Sequence, residues 1–142
     1  MKIAIGSDHA GYELKEELVA YLSNKYTIYD KGTFSKDSAD YPEFAHAVAN
    51  SIENGEAEMG IVICGSANGV AITANKHANI RCAICWEAEI AQLARAHNNA
   101  NIAALPSRFV SIQQAKDIID VFLSTDFEGG RHQRRVSKIG IV

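Results

Sequence analysis

Proline is nearly absent from this chain, at two residues in 142, and tryptophan occurs once. Neither charge sign dominates: 14 Lys and Arg face 17 Asp and Glu, for a net charge of -3. So little proline, with ten glycines, excludes a collagen-like or linker-dominated chain. The slight acidity excludes a nucleic-acid binder that works through an overall positive field. No apolar run approaches the roughly 20 residues that a membrane helix needs. The start, Met1-Lys2-Ile3-Ala4-Ile5-Gly6, lacks the apolar segment and small-residue cleavage site of a signal peptide. Three cysteines, an odd number, suit a reducing compartment better than a disulfide scaffold. What is present is ordinary globular material, 47% hydrophobic and 22% charged, on a chain long enough to bury a core. The expectation is a soluble, cytoplasmic protein folded as one domain over residues 1–142, with neither nucleic acid nor membrane as a partner.

Hydrophobic periodicity switches repeatedly between strand and helix. Ile3-Ala4-Ile5, ending in Gly6, reads as a buried strand. Leu14, Leu18, Tyr21 and Leu22 then fall at helical spacing. Tyr26 to Tyr29 is a second strand, closed by Asp30-Lys31-Gly32. Pro42 suits the first turn of a helix carrying Phe44, Val48 and Ile52. Met59 to Cys64 is apolar throughout, as a strand covered on both faces should be. A helix from about Gly69 to Lys76 follows, then a strand over Ile80–Cys85. The next helix, Glu87–His97, has Ile90, Leu93, Ala94 and His97 on one face. A fifth strand, Asn101–Leu105, is stopped by Pro106. Ser111 and Gln114 form a capping box for a helix buried through Ala115, Ile118, Ile119 and Phe122. Five strands alternating with helices predict a three-layer, flavodoxin-like α/β fold, a doubly wound parallel sheet of order 2-1-3-4-5. A short C-terminal tail or helix is left over, expected to dock on a partner subunit. Such sheets bind ligands at the carboxyl ends of the strands flanking the switch point, here strands 1 and 3.

Both segments at that point carry chemistry. Gly6-Ser7-Asp8-His9-Ala10-Gly11 sets an acid beside an imidazole at a strand-to-helix turn, where Ser7 or Asp8 can equally cap the helix. Cys64-Gly65-Ser66-Ala67-Asn68-Gly69 is a glycine-rich turn whose free backbone N–H groups suit an anion. A thiol at its mouth places a proton acceptor beside a hole for developing negative charge. The turn lacks the Gly-Lys-Ser/Thr of a Walker loop, and Val70 stands where a Cys-x5-Arg phosphatase loop needs arginine. Cys82 and Cys85 have the spacing of half a zinc site, but positions three apart on a strand face opposite ways, so both read as core thiols. The five histidines, His9, His46, His77, His97 and His132, show no ligand pairing in sequence, and no metal is expected. His97, at the end of a helix and in line with its apolar stripe, reads from the residues alone as a structural, helix-terminal core histidine, with a functional role as the alternative. Arg108 follows strand 5 at the ligand-binding edge. Arg131 and Arg135, in the basic cluster after Gly129-Gly130, share a helical face and suit a phosphate.

Taken together, these segments resemble the type B ribose-5-phosphate isomerases over essentially the whole chain. The resemblance rests on Gly6–Gly11, Asp40-Tyr41-Pro42, Ile63–Ser66, Ala74-Asn75-Lys76, Arg95–Asn98 and Gly129–Val136. It implies a metal-free, cofactor-free aldose–ketose isomerase that interconverts ribose 5-phosphate and ribulose 5-phosphate through an enediolate. On matching positions, Cys64 resembles the base, and Gly65, Ser66, Ala67, Asn68 and Gly69 form the anion hole. His97 resembles the ring-opening acid–base group with Asp8 nearby, and Asn98 a substrate contact. His9, Arg131 and Arg135 resemble the phosphate grip. The resemblance further implies a homo-oligomer, dimer or tetramer, whose active site is shared between subunits. Three departures mark this chain: Ala67 and Asn68 where many relatives have glycine and a small apolar residue, Asn99 in place of Asp, and Pro106 in place of glycine. The lost carboxylate at Asn99 is expected to alter how His97 is oriented. Related chains handle six-carbon sugar phosphates such as allose 6-phosphate or galactose 6-phosphate, and a non-catalytic phosphosugar-binding module is the other alternative.

Overall fold

Strand and helix alternate through the computed structural model, which describes residues 1–141. The elements are β1 (Lys2–Ser7), a 3₁₀ turn (His9–Gly11), α1 (Tyr12–Leu22), β2 (Thr27–Asp30), α2 (Tyr41–Glu53) and β3 (Met59–Cys64). They continue with α3 (Asn68–Ala74), β4 (Cys82–Ile84), α4 (Ala88–Ala96), β5 (Ile102–Pro106), α5 (Ile112–Ser124) and α6 (Arg131–Val136). Pro42 lies in the first turn of α2, and Ser111 and Gln114 close the capping box of α5 at 3.1 and 2.7 Å.

All strand pairs are parallel, and the sheet order is β2-β1-β3-β5-β4. The doubly wound α/β architecture is therefore as expected, but the last two strands are interchanged relative to 2-1-3-4-5. Burial explains the exchange. Every residue of β5 is buried, which a central strand requires, whereas β4 has three half-buried residues and tolerates an edge. Right-handed crossovers then place the helices. The chain moves outward from β3 to β4 through α3 and back inward to β5 through α4, so α3 and α4 lie on opposite faces. Ile3, Ile5, Ile61 and Ile63 pack toward α1, α4 and α5, while Ala4, Val62 and Cys64 pack toward α2 and α3. Pro106 does not stop β5 but ends it, in register with Cys64. Cys85 joins the first core layer and Cys82 borders the second, so the two thiols face opposite ways, and burial pushes both well above the ordinary thiol range.

The buried face of α4 is not the one expected. Ala91, Ala94, Arg95 and Ala96 are buried, whereas Leu93 is 39% exposed and Ile90 half-buried. Alanine lets the helix lie close to the sheet, which turns its larger apolar residues outward.

Lys15, on α1, is fully buried, a position that lysine rarely takes without a partner. Its Nζ donates to both Asp30 oxygens at 2.8 and 2.9 Å and to Glu16 at 2.8 Å, with the rings of Tyr12 and Phe34 beside it. Asp30 also accepts from Gly32 N–H at 3.0 Å, so the ion pair shapes the segment that pairs with Ser7. Truncating one partner leaves the other uncompensated. Lys15→Ala is expected to lower the unfolding free energy by about 3 kcal/mol, read from the urea midpoint at constant slope.

Candidate active site

Two groups of side chains occupy opposite edges of the sheet. The first lies at the carboxyl ends of β1 and β3, which are neighbours with Ser7 in register with Ile63. Their following helices leave toward opposite faces, which opens a crevice between the two turns. Asp8 is buried, and its Oδ1 accepts from Gly11 N–H at 3.1 Å, capping the 3₁₀ turn. Of the two candidate caps it is therefore Asp8 that serves. Ser7 is fully buried with no hydrogen-bond partner at Oγ. His9 is exposed, and its Nδ1 sits against the Ala39 backbone, 3.1 Å from the N–H and 3.3 Å from the carbonyl, which leaves Nε2 free of protein partners among the described residues.

Cys64 ends β3, buried, with its side chain on the α2–α3 side of the sheet. Its carbonyl accepts from Ser107 N–H at 2.9 Å and Ser107 Oγ at 3.2 Å, and the same hydroxyl lies 3.0 Å from the carbonyl of Ala10. One serine thus ties together the ends of β3 and β5 and the turn after β1. Beyond Cys64, Ala67 adopts φ +66°, the left-handed region that glycine enters more easily. Ser66 Oγ accepts from Asn68 N–H at 3.4 Å and from Asn68 Nδ2 at 3.2 Å. Two glycines of the turn lie close against neighbouring side chains, Gly69 without room for a side chain and Gly65 tightly. A Cβ at Gly69 would lie 2.5 Å from the ring of Tyr41, and one at Gly65 would lie 3.1 Å from the guanidinium of Arg108. Tyr41 and Arg108 therefore belong to this edge. The sequence placed Arg108 there but gave it no role, and for Tyr41 the signal was the Asp40-Tyr41-Pro42 motif.

The second group lies at the amino edge of the sheet. α4 runs antiparallel to the strands, so its last turn sits where β5 begins. His97 caps that turn, 38% exposed, followed by exposed Asn98. Its ring stacks on His132 of α6, with centroids 4.1 Å apart and planes within 9°. Nε2 of each ring is 3.7 Å from Glu128 Oε1. Arg131 and Arg135 are exposed one helical turn apart, as their spacing predicts. Asn99 does not meet His97: its Oδ1 accepts from Arg95 Nη1 at 3.0 Å, beside the Arg95–Ala100 carbonyl bond at 2.6 Å. Asn99 thus bears on the Arg95 clamp, not on the imidazole.

The histidines pair after all, through space instead of through sequence. Besides His97–His132, His46 Nδ1 lies 2.7 Å from His77 Nε2, and His77 Nδ1 lies 3.0 Å from Glu53. His97, Glu128 and His132 bring three potential ligand atoms within 4.8 Å of one another. The ring planes are nearly parallel, however, and in-plane lone pairs on parallel rings point side by side, not toward one ion.

Burial, first of all, and then the neighbouring His97 and Arg131 hold His132 below the ordinary histidine range. A base whose folded form resists protonation contributes stability at neutral pH that is lost as the unfolded chain takes up its proton first. The melting temperature is therefore expected to fall as pH drops below 6.5, with a shallower fall in His132→Gln. Parallel pH profiles for the two proteins would remove His132 from the acid response.

Cys64 and His97 do not meet within one chain. The length of β3 separates their edges, six residues rising about 3.3 Å each. Asp8, His9 and the Cys64–Gly69 turn form one group, and His97, Asn98, Arg131 and Arg135 form the other.

Residues 3–139 match the family model described as Ribose/Galactose Isomerase. The chain is 48% identical to ribose-5-phosphate isomerase B of Escherichia coli (strain K12), over 97% of its own length and 93% of that protein's. The crystal structure of a ribose 5-phosphate isomerase from Thermotoga maritima superposes with a TM-score of 0.97 at 50% identity, covering 99% of this chain and 98% of that one. That of ribose-5-phosphate isomerase B from Mycoplasma genitalium with bound ribulose-5-phosphate gives 0.92 at 42% identity, covering 97% and 93%. With its fold, its Cys64 turn and its paired arginines all in place, the chain belongs to the ribose/galactose isomerase family.

Proposed function

We propose that this chain interconverts ribose 5-phosphate and ribulose 5-phosphate by proton transfer. The observation that carries the reading is the β3 turn, which sets the Cys64 thiol beside the N–H groups of Gly65–Gly69 in a member of this family. A C2 proton is weakly acidic, so its removal needs a placed base and immediate stabilisation of the oxygen that gains charge. In the proposed step, the Cys64 thiolate takes the C2 proton of the open-chain aldose. The C–H electron pair becomes the C1–C2 double bond, and the carbonyl electrons move onto O1, held by the turn N–H groups and Ser66. The thiol then returns the proton to C1 while the hydroxyl proton passes from O2 to O1, giving the ketose. His97 opens the furanose by moving the proton of the anomeric hydroxyl to the ring oxygen as the bond from C1 to that oxygen breaks and the aldehyde forms, with Asp8 close to the site and Asn98 contacting the sugar. His9, Arg131 and Arg135 hold the phosphate, which orients the reacting carbons from a distance. No step is routed through a metal or cofactor.

Because the two groups lie on opposite edges, the proposal includes a homodimer in which the His97 edge of one subunit meets the Cys64 edge of the other. A two-fold axis across the strand direction creates two such sites at once. Exposed apolar side chains support an assembly: Ile72 on α3, Trp86 after β4 and Phe109 after β5 are 63, 50 and 75% exposed. Ile139 in the tail, 58% exposed, suits the expected docking of that segment on a partner. No helix among the described residues is long and apolar enough to cross a membrane.

Steady-state turnover of ribose 5-phosphate, allose 6-phosphate and galactose 6-phosphate tests the reading. A kcat/KM at least tenfold higher for ribose 5-phosphate is expected. A six-carbon preference would keep the chemistry and change the substrate, and no turnover on any of the three would leave a phosphosugar-binding fold.

A further inference from the structure

We infer that Asn68 is a positioning residue, which fixes the direction of the Ser66 hydroxyl proton. A serine oxygen has one proton to donate and two lone pairs that accept. Both acceptor positions of Ser66 Oγ are filled by one neighbour, the N–H of Asn68 at 3.4 Å and its Nδ2–H at 3.2 Å. No acceptor within hydrogen-bond distance takes the Ser66 proton among the described residues. The hydroxyl is left with its proton aimed away from Asn68, out of an exposed turn that begins at Cys64. Ser66 is thereby a donor that needs no rotation when negative charge appears beside it, the condition under which such a donor contributes most. An apolar side chain at position 68 removes one of the two bonds and frees the hydroxyl to rotate.

This inference rests on the proposed role of Ser66 at the enediolate oxygen. It assigns the Asn68 side chain no contact with the sugar, so its removal should act on kcat and spare KM. Ser66→Ala is expected to lower kcat about a hundredfold, as loss of one oxyanion donor does. Asn68→Leu, of similar size but without a donor, is expected to lower kcat about tenfold with KM for ribose 5-phosphate unchanged within about twofold. The double variant should be no slower than Ser66→Ala alone, since Asn68 acts only through that hydroxyl. Asn68→Asp offers a carboxylate that recaptures the proton, and should fall at least as far as Ser66→Ala. An Asn68→Leu enzyme with unchanged kcat, or one whose tenfold loss persists in the Ser66→Ala background, would overturn the assignment.

Neutron diffraction from deuterated crystals of the wild-type protein supplies a readout independent of turnover. A Ser66 deuteron pointing away from Asn68 supports the assignment whichever sugar is isomerised, and one pointing at Asn68 Oδ1 overturns it. Absence of turnover on ribose 5-phosphate in the wild type would count against the proposed reaction, while the deuteron's direction still decides the role of Asn68.

Discussion

Cys64→Ala is expected to lower kcat for ribose 5-phosphate by about three orders of magnitude, within the span that general acid–base groups contribute. KM should change little, because in the proposed site His9, Arg131 and Arg135, and not the thiol, hold the phosphate. The fold should also survive. Cys64 is the last residue of β3, and its backbone carbonyl, not its sulfur, anchors Ser107. The substitution deletes a single sulfur from a buried position next to a turn, so the loss of stability should stay near 1 kcal/mol. Near-normal binding with near-zero turnover is the signature of a group that acts only on the way to the transition state. A fall in kcat of less than tenfold would assign the base to another residue. A matching rise in KM would make the thiol a binding contact.

The second large effect concerns two inactive proteins that recover activity when combined. Cys64→Ala and His97→Asn are each expected to be almost inactive, because each spoils one edge of every site. In a mixed dimer with two-fold symmetry, one site receives both altered edges and the other receives two intact ones. Co-refolding the two variants in equal amounts makes about half the dimers mixed, each with one working site, so about a quarter of the wild-type activity should return. Sites built within single chains would return nothing. The outcome follows from the proposed dimer, in which the His97 edge of one subunit meets the Cys64 edge of the other, because the length of the sheet separates the two residues within a chain.

Much of this was legible in the residue order. The apolar run of β3, the capping box of α5 and the glycine-rich turn after Cys64 are local patterns, and each took the expected form. The order of β4 and β5 was not legible. Both stretches are apolar, and only the finished sheet reveals that β5 is covered completely while β4 has three half-buried residues to pair. Lys15 escaped notice because a lysine between Leu14 and Leu18 looks like a solvated turn of helix. Its partner Asp30 comes from the next strand. His132 was hidden for the same reason, since the ring it stacks on belongs to another helix. The face of α4 was misread because a pattern of large apolar residues indicates amphipathicity but not which side meets the sheet. Alanines at Ala91 and Ala94 decide that through how closely they let the helix approach.

The interleaved β5 also governs when the molecule can become competent as it leaves the ribosome. β3 and its Cys64 emerge early, yet the strand that pairs with their open edge is made only after β4 and α4. β4 pairs with β5 and not with β3, so it cannot cover the gap in the meantime. Until residues 102–106 are synthesised, the nascent chain exposes one side of its most apolar strand, the kind of edge that invites wrong pairing with a neighbouring polypeptide. Ser107, the next residue out, then joins the Cys64 and Ala10 carbonyls. Closing the sheet and setting the Cys64 turn are consequently one late event, completed by the same few residues.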